Sequence, residues 1–189
     1  MRGQLTPQMQ LDLFSEVYYD IETQLSAGEV GGWENIHLMR IAVAVTWSPE
    51  DGFRQWEEPD APNLIRYLSG FGKILSFNGD GFDSRVLSHY GDVARINGAS
   101  FDLLTDLKRR LNHRLSLDSL AQATLNVSKT ANGLQSLQWW KEGKIQLIAD
   151  YCRQDVKVLV DLVSFARQNG FVRYGDKTTG EKFTVKVNW

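Results

Sequence analysis

The chain holds 189 residues, 42% of them hydrophobic and 11% aromatic, with a formal net charge of −2. That length and apolar content suit one domain with a sizeable core and exclude a disordered chain. A single cysteine, Cys152, excludes an intrachain disulfide, no stretch reaches the ~20 apolar residues of a membrane span, and residues 1–6 lack the apolar core of a signal peptide. Together these predict a soluble cytoplasmic protein, with one domain over residues 1–189, a core over about 14–165 and a terminal hairpin over about 171–188. The near-neutral charge does not by itself point to a polyanionic partner.

In chain order, residues 14–21 are rich in β-formers and predict a strand running into Asp20. Residues 23–35, with Gly28, Gly31 and Gly32, predict a loop. Residues 36–47, built around the run Ile41-Ala42-Val43-Ala44-Val45, predict a long strand, and residues 53–57 a third strand after a Pro-Glu-Asp-Gly turn. Leu64, Ile65 and Leu68 give residues 62–68 the apolar face of a helix. Ile74-Leu75-Ser76-Phe77 is a short apolar strand, and Asp83 opens a helix running to about Tyr90. Two helices are expected over 102–125, joined near Asn112-His113, and helix over 133–167 with a break near Gly143. Residues 171–174 and 183–187 alternate like strands, with their turn at 176–180. Adjacent strands followed by alternating helix and strand predict an α/β mixed β-sheet flanked by helices, with a C-terminal β-hairpin.

Three short words carry acids at the ends of these elements. Asp20 and Glu22 stand at i and i+2, so they leave one face of a strand, and two such charges repel unless a cation bridges them or one is protonated. By itself the pair also reads as a solvated strand edge. Asp83 ends the word Asn78-Gly79-Asp80-Gly81-Phe82-Asp83, between an apolar strand and a helix, where a carboxylate also makes a good cap. A calcium loop starting at Asn78 fails, since its sixth position holds Asp83 rather than glycine and its twelfth His89 rather than glutamate. Tyr151 and Asp155, four apart, share one helix face. A phenol beside a metal-binding carboxylate can orient an attacking water, whereas an isolated pair of this kind is a buried tyrosine beside an exposed acid. Together the four carboxylates make up the all-oxygen ligand set that hard divalent cations take.

In this order the words resemble the three motifs of the DEDD superfamily of 3′–5′ exonucleases: Asp20 and Glu22; Asn78, Phe82 and Asp83; Tyr151 and Asp155. The histidine subclass places histidine five residues before the last acid, a position held here by Asp150, so the tyrosine subclass (DEDDy) is the match. Asp20-Ile21-Glu22-Thr23, Tyr151-Cys152-Arg153-Gln154-Asp155 and the stretch from Leu115 through Lys129 are similar to the proofreading exonuclease domain of B-family DNA polymerases, expected here to stand alone; Gly79-Asp80-Gly81 replaces a more apolar spacer. The resemblance implies a ribonuclease H-like fold. It implies two Mg²⁺ or Mn²⁺ ions, roughly 3.5–4 Å apart, on Asp20, Glu22, Asp83 and Asp155, with Tyr151 orienting water. These acids, once loaded with metal, leave the site cationic. Thr23, Asn78 and Phe82 are implied to touch the terminal nucleotide. The implied activity is hydrolysis from the 3′ end of single-stranded DNA or RNA to nucleoside 5′-monophosphates, beside a helicase or polymerase on another chain where one is required. The alternative is an inactive nucleic-acid-binding or partner-docking module on the same fold.

Other residues divide between chemistry and packing. Lys108-Arg109-Arg110 with Arg114 is a basic cluster that can track phosphates or form a solvated helix face, and Lys141, Lys144 and Arg153 can touch phosphate near the third motif. Trp139 and Trp140 read as packing before base stacking, Cys152 as packing, and His37, His89 and His113 have no zinc spacing. The terminal hairpin is expected to leave an edge suited to a partner strand.

Overall fold

The computed structural model describes residues 15–127, 133–175 and 180–189. The expectations placed on residues 1–6, on residue 14, on Lys129 and on the hairpin turn at 176–179 lie outside the described residues.

Strand β1 (Glu16–Thr23) is buried on both faces, and its alternation sorts its side chains into two cores. It pairs antiparallel with β2 (Ile41–Ser48), which pairs antiparallel with β3 (Gly52–Trp56). On its other side it pairs parallel with β4 (Lys73–Ser76), which pairs parallel with β5 (Ser100–Asp102). The resulting five-stranded mixed sheet has the order β3-β2-β1-β4-β5. Parallel neighbours need crossovers. Between β1 and β4 the chain passes through β2, β3 and helix α1 (Ala61–Leu68); between β4 and β5 it passes through α2 (Asp83–Leu87) and α3 (Ala94–Ala99).

These helices cover one face of the sheet. Val17, Tyr19 and Ile21 of β1 point there, into a core with Leu64, Leu68, Val86 and Leu87. Tyr18 points to the opposite core, shared with α4 (Leu103–Leu111), α5 (Leu117–Leu125) and the long helix α7 (Ile145–Asn169). Helix α6 (Gly133–Lys141) leads into α7 through a turn at Gly143, where φ is +69°, and α7 ends on Gly170 in the left-handed conformation. The buried stripe of α7 runs through Ile148, Cys152, Asp155, Leu159, Leu162 and Ala166, alternating steps of four and three.

A short hairpin, β6 (Phe171–Gly175) with β7 (Lys182–Lys186), forms a separate two-stranded sheet against α5. Of the two edges of this hairpin, that of β6 is occupied from within. Thr124 Oγ1 accepts from Arg173 N at 2.8 Å and donates to Arg173 O at 2.7 Å. Ser119 Oγ does the same for Gly175, at 3.2 and 3.0 Å. Two helix hydroxyls thus stand in for a neighbouring strand.

The long strand expected over 36–47 is corrected at its start. Residues Trp33–Leu38 form 3₁₀ turns, and Arg40 takes a φ of +58°. The cause is tertiary: Glu58 accepts from Arg40 Nε and Nη2 at 2.6 and 2.7 Å, and also from Tyr90 and Gln24. This network holds the chain in a turn just before β2. The segments α3 and β5 had no sequence signal beyond an unassigned gap. No helix among the described residues is long and apolar enough to cross a membrane.

Candidate active site

Asp20 and Glu22 lie where β1 runs beyond the last paired residue of β4, so they stand at the carboxyl end of the parallel part of the sheet. Open sheets leave a crevice at such ends. The pairing of β1 with β2 shifts register between Glu22 and Thr23, and a bulge of this kind re-aims side chains beside a site. Asp155 arrives from the stripe of α7, 4% exposed. One carboxylate oxygen from each of Asp20, Glu22 and Asp155 lies within 4.8 Å of the other two.

Asp83 comes in from the other side. Its Oδ1 accepts from Ile21 N at 2.9 Å, the amide between the two β1 acids. The helix-cap role open to it from sequence is therefore not the one it takes: the cap position of α2 is Phe82, and the Asp83 carboxylate is turned to β1. Burial pushes the Asp83 carboxyl well above the usual carboxylate range, the charge of Asp20 and then of Glu22 adds to this, and the backbone hydrogen bonds oppose it. Cys152, packed as expected, sits beneath the cluster with Sγ 3.3 Å from Asp20 O and 3.5 Å from its Oδ2. Burial, then the charges of Asp20, Glu22 and Asp155, raise its thiol, so it is a poor nucleophile. Three hard oxygens within 4.8 Å of one another, with a fourth carboxyl raised by burial and then by the charges of Asp20 and Glu22, fit a divalent cation in chemistry and in electrostatics.

Two cavities meet at this cluster. One, of about 640 Å³, is lined by Glu22, Thr23, Phe82 and Asp83, with the exposed Trp33 and Leu134 on its rim. The other, of about 790 Å³, runs from Asp20 and Asp155 past Arg114 and Ser116 to Tyr174. Asp20, Phe77, Asn78 and Gly133 line both. Thr23, Asn78 and Phe82 thus all face the first cavity. Tyr151 lines neither: it is 6% exposed, one turn before Asp155, with its ring edge-on to Trp139 at 6.3 Å.

The Asn78 loop is tied down by Asp102. Its carboxylate accepts from Asn78 N at 2.8 Å and Asp80 N at 3.3 Å, while capping α4 through Leu104 N at 2.9 Å. Asn78 takes a φ of +73°, which asparagine tolerates. A Cβ on Gly79 would fall 2.2 Å from Ser76 Oγ and 2.6 Å from Ser76 Cβ, so close packing favours glycine at this first position of the spacer. Of the basic residues, Arg114 lines the larger cavity. Arg110 is engaged by Asp106 and the Lys186 carbonyl, Lys141 pairs with Glu29, Lys144 with Glu142, and Arg153 lies over the Phe53 ring. No motif marks Trp33, Leu134 or Asp102. Only Asp102 carried a local signal, an acid immediately before a helical run; exposure of the other two is a tertiary fact.

No curated protein matches the chain. The family B DNA polymerase from the hyperthermophilic archaeon Pyrobaculum calidifontis superposes with a TM-score of 0.61 at 15% identity, over 80% of this chain and 24% of the polymerase chain. Exonuclease I superposes with a TM-score of 0.49 at 12% identity, over 82% of this chain and 41% of its own. The chain thus spans about a quarter of the polymerase and two fifths of exonuclease I. A sequence profile of the RNase_H superfamily matches residues 17–168, from β1 through nearly all of α7, and stops before the β6–β7 hairpin. The mixed five-stranded sheet flanked by helices is a ribonuclease H-like fold, and the chain belongs to the RNase_H superfamily.

Proposed function

We propose that this protein is a metal-dependent 3′–5′ exonuclease acting on single-stranded nucleic acid. The observation that carries the reading is the convergence of Asp20, Glu22 and Asp155 within 4.8 Å, with Asp83 hydrogen-bonded to the amide between the first two. These four acids would hold the metal. When bound, two Mg²⁺ or Mn²⁺ ions supply the positive charge that acidifies water and stabilises a leaving alkoxide. Asp83 and Asp155, both buried, would hold that charge out of bulk water, in surroundings where electrostatic effects are stronger than in water. Tyr151, one turn before Asp155 on α7, is the phenol available to orient the attacking water. Water adds to phosphorus as the bond to the 3′-oxygen breaks, releasing a nucleoside 5′-monophosphate and a strand one residue shorter.

The cavity lined by Thr23, Phe82 and Leu134 suits a terminal nucleotide, offering apolar faces to base and sugar beside the acids. The 3′–5′ polarity is supported by the order of the three motifs, shared with the tyrosine subclass. The fold shared with an archaeal family B polymerase fits the same reading.

The test is degradation of 3′- and 5′-labelled single-stranded DNA and RNA with Mg²⁺, Mn²⁺ or chelator. Stepwise shortening from the 3′ end, abolished by chelator, is expected. Asp155→Asn should cost about a thousandfold or more in kcat/KM, since metal charge stabilisation is worth several kcal/mol and each ~1.4 kcal/mol is tenfold. Tyr151→Phe should cost less, because the metal ligands remain. Activity near wild type in Asp155→Asn would overturn the assignment.

A further inference from the structure

The larger cavity continues past the acids to the hairpin. Its far end is built by Tyr174 of β6 and by His113 and Arg114 from the α4–α5 turn. Phe183 of β7 stacks on Tyr174, with centroids 5.5 Å apart and planes at 27°, and His113 meets the Tyr174 ring edge-on at 5.7 Å. Phe183 is 41% exposed, a large apolar side chain facing solvent on a two-stranded sheet. Tyr174, His113 and Arg114 therefore line the groove together, with the exposed Phe183 ring stacked on Tyr174 beside it, and Asp20 and Asp155 line the same groove.

We propose that the hairpin is a stacking platform for the strand behind the scissile bond, carrying bases on Phe183, Tyr174 and His113 and a phosphate on Arg114. Four observations carry this. The groove is continuous with the acidic cluster, so a strand whose end lies at the acids runs along it. Aromatic faces beside an arginine are what sequence-independent binding of single strands uses, since every base has a π-face. Strand β6 is tied to α5 by the paired hydroxyls of Ser119 and Thr124. It also follows directly on the stretch that the superfamily profile matches, which ends at residue 168 on α7, the helix that carries Asp155. The platform rests on the nucleic-acid reading above but not on catalysis, because it serves binding.

The experiment measures fluorescence anisotropy of a labelled ten-nucleotide single strand, as DNA and as RNA, with chelator present so that nothing is hydrolysed. Phe183→Ala should weaken binding about tenfold, the size of one lost base–aromatic stack. Because Phe183 is exposed, its truncation leaves the fold intact, which circular dichroism checks. Arg114→Gln should weaken binding and lower the slope of log Kd against log salt by about one phosphate contact. If both variants bind within twofold of wild type, the platform is wrong. The outcomes separate the two readings. Wild type that shortens the strand with Mg²⁺ while both variants bind normally sinks the platform alone. Wild type that never hydrolyses, with both variants losing affinity, sinks the nuclease and keeps the platform.

Discussion

Asp155 stands where the periodicity of its helix reserves a place for an apolar side chain. An ionised carboxylate there carries a desolvation penalty that a cation or hydrogen bonds must offset. Asp83 shows the same tension from the opposite core. Its folded pKa is raised, so its contribution to stability is fully present below the unfolded value of about 4 and is lost as pH rises through the folded value. Asp83→Asn keeps an oxygen for Ile21 N and removes the charge. In chelator at neutral pH this variant should therefore melt above wild type. The difference should close as pH falls toward 4, while hydrolysis is lost; thermal melts across pH 4–8 check this. Glu16 is the opposite case. The two-point hydrogen bonds from Arg167, both 2.7 Å, lower its carboxyl against the effect of burial. Its contribution is present above the unfolded value and fades as pH falls through the folded one. Glu16→Gln should cost about 1 kcal/mol at pH 7 and nothing at strongly acid pH, by urea melts at both.

The elements were legible where local pattern and tertiary environment agree. The apolar face of α1, the break near Gly143, the strand Ile74-Leu75-Ser76 and the hairpin strands all lie close to where spacing puts them. They diverge where a distant side chain takes over the backbone. Arg40 leaves the β region because Glu58 and Tyr90 hold the turn before β2, a contact no window of residues 36–47 contains. Asp102 is the same kind of link between elements, joining the amides of Asn78 and Asp80 to the first turn of α4. Asp102→Ala removes a cap, worth about 1 kcal/mol, and strands two amides at further cost. A total of about 2–3 kcal/mol is expected, with a raised KM as the Asn78 loop loses its tether. Asp102→Asn, which still accepts at one oxygen, should recover part of both, read by calorimetry and by steady-state kinetics.

At the scale of the whole molecule the site is a seam between two cores. Asp20 and Glu22 leave the face of β1 that packs toward α7, Asp83 comes from the helix covering the other face, and Asp155 closes the set. A bound divalent ion would bridge elements more than a hundred residues apart in sequence and stabilise the folded state by mass action. Mg²⁺ at a hundred times its Kd should add about 2.7 kcal/mol, a rise of roughly 5–10 °C in Tm for a chain this size. Asp155→Asn should remove most of that rise in a melt with and without chelator. The residue types and their order were determined by the sequence alone: acids at strand ends and in an apolar stripe, a tyrosine one turn away, apolar runs of the right period. Their meeting in one crevice, the turn of Asp83 toward β1 rather than its own helix, the exposure of Trp33 and Phe183, and the capture of the hairpin edge by Ser119 and Thr124 were decided only in the tertiary structure. Periodicity is a property of neighbours along the chain, whereas convergence depends on the packing of a sheet with a helix contributed from far downstream.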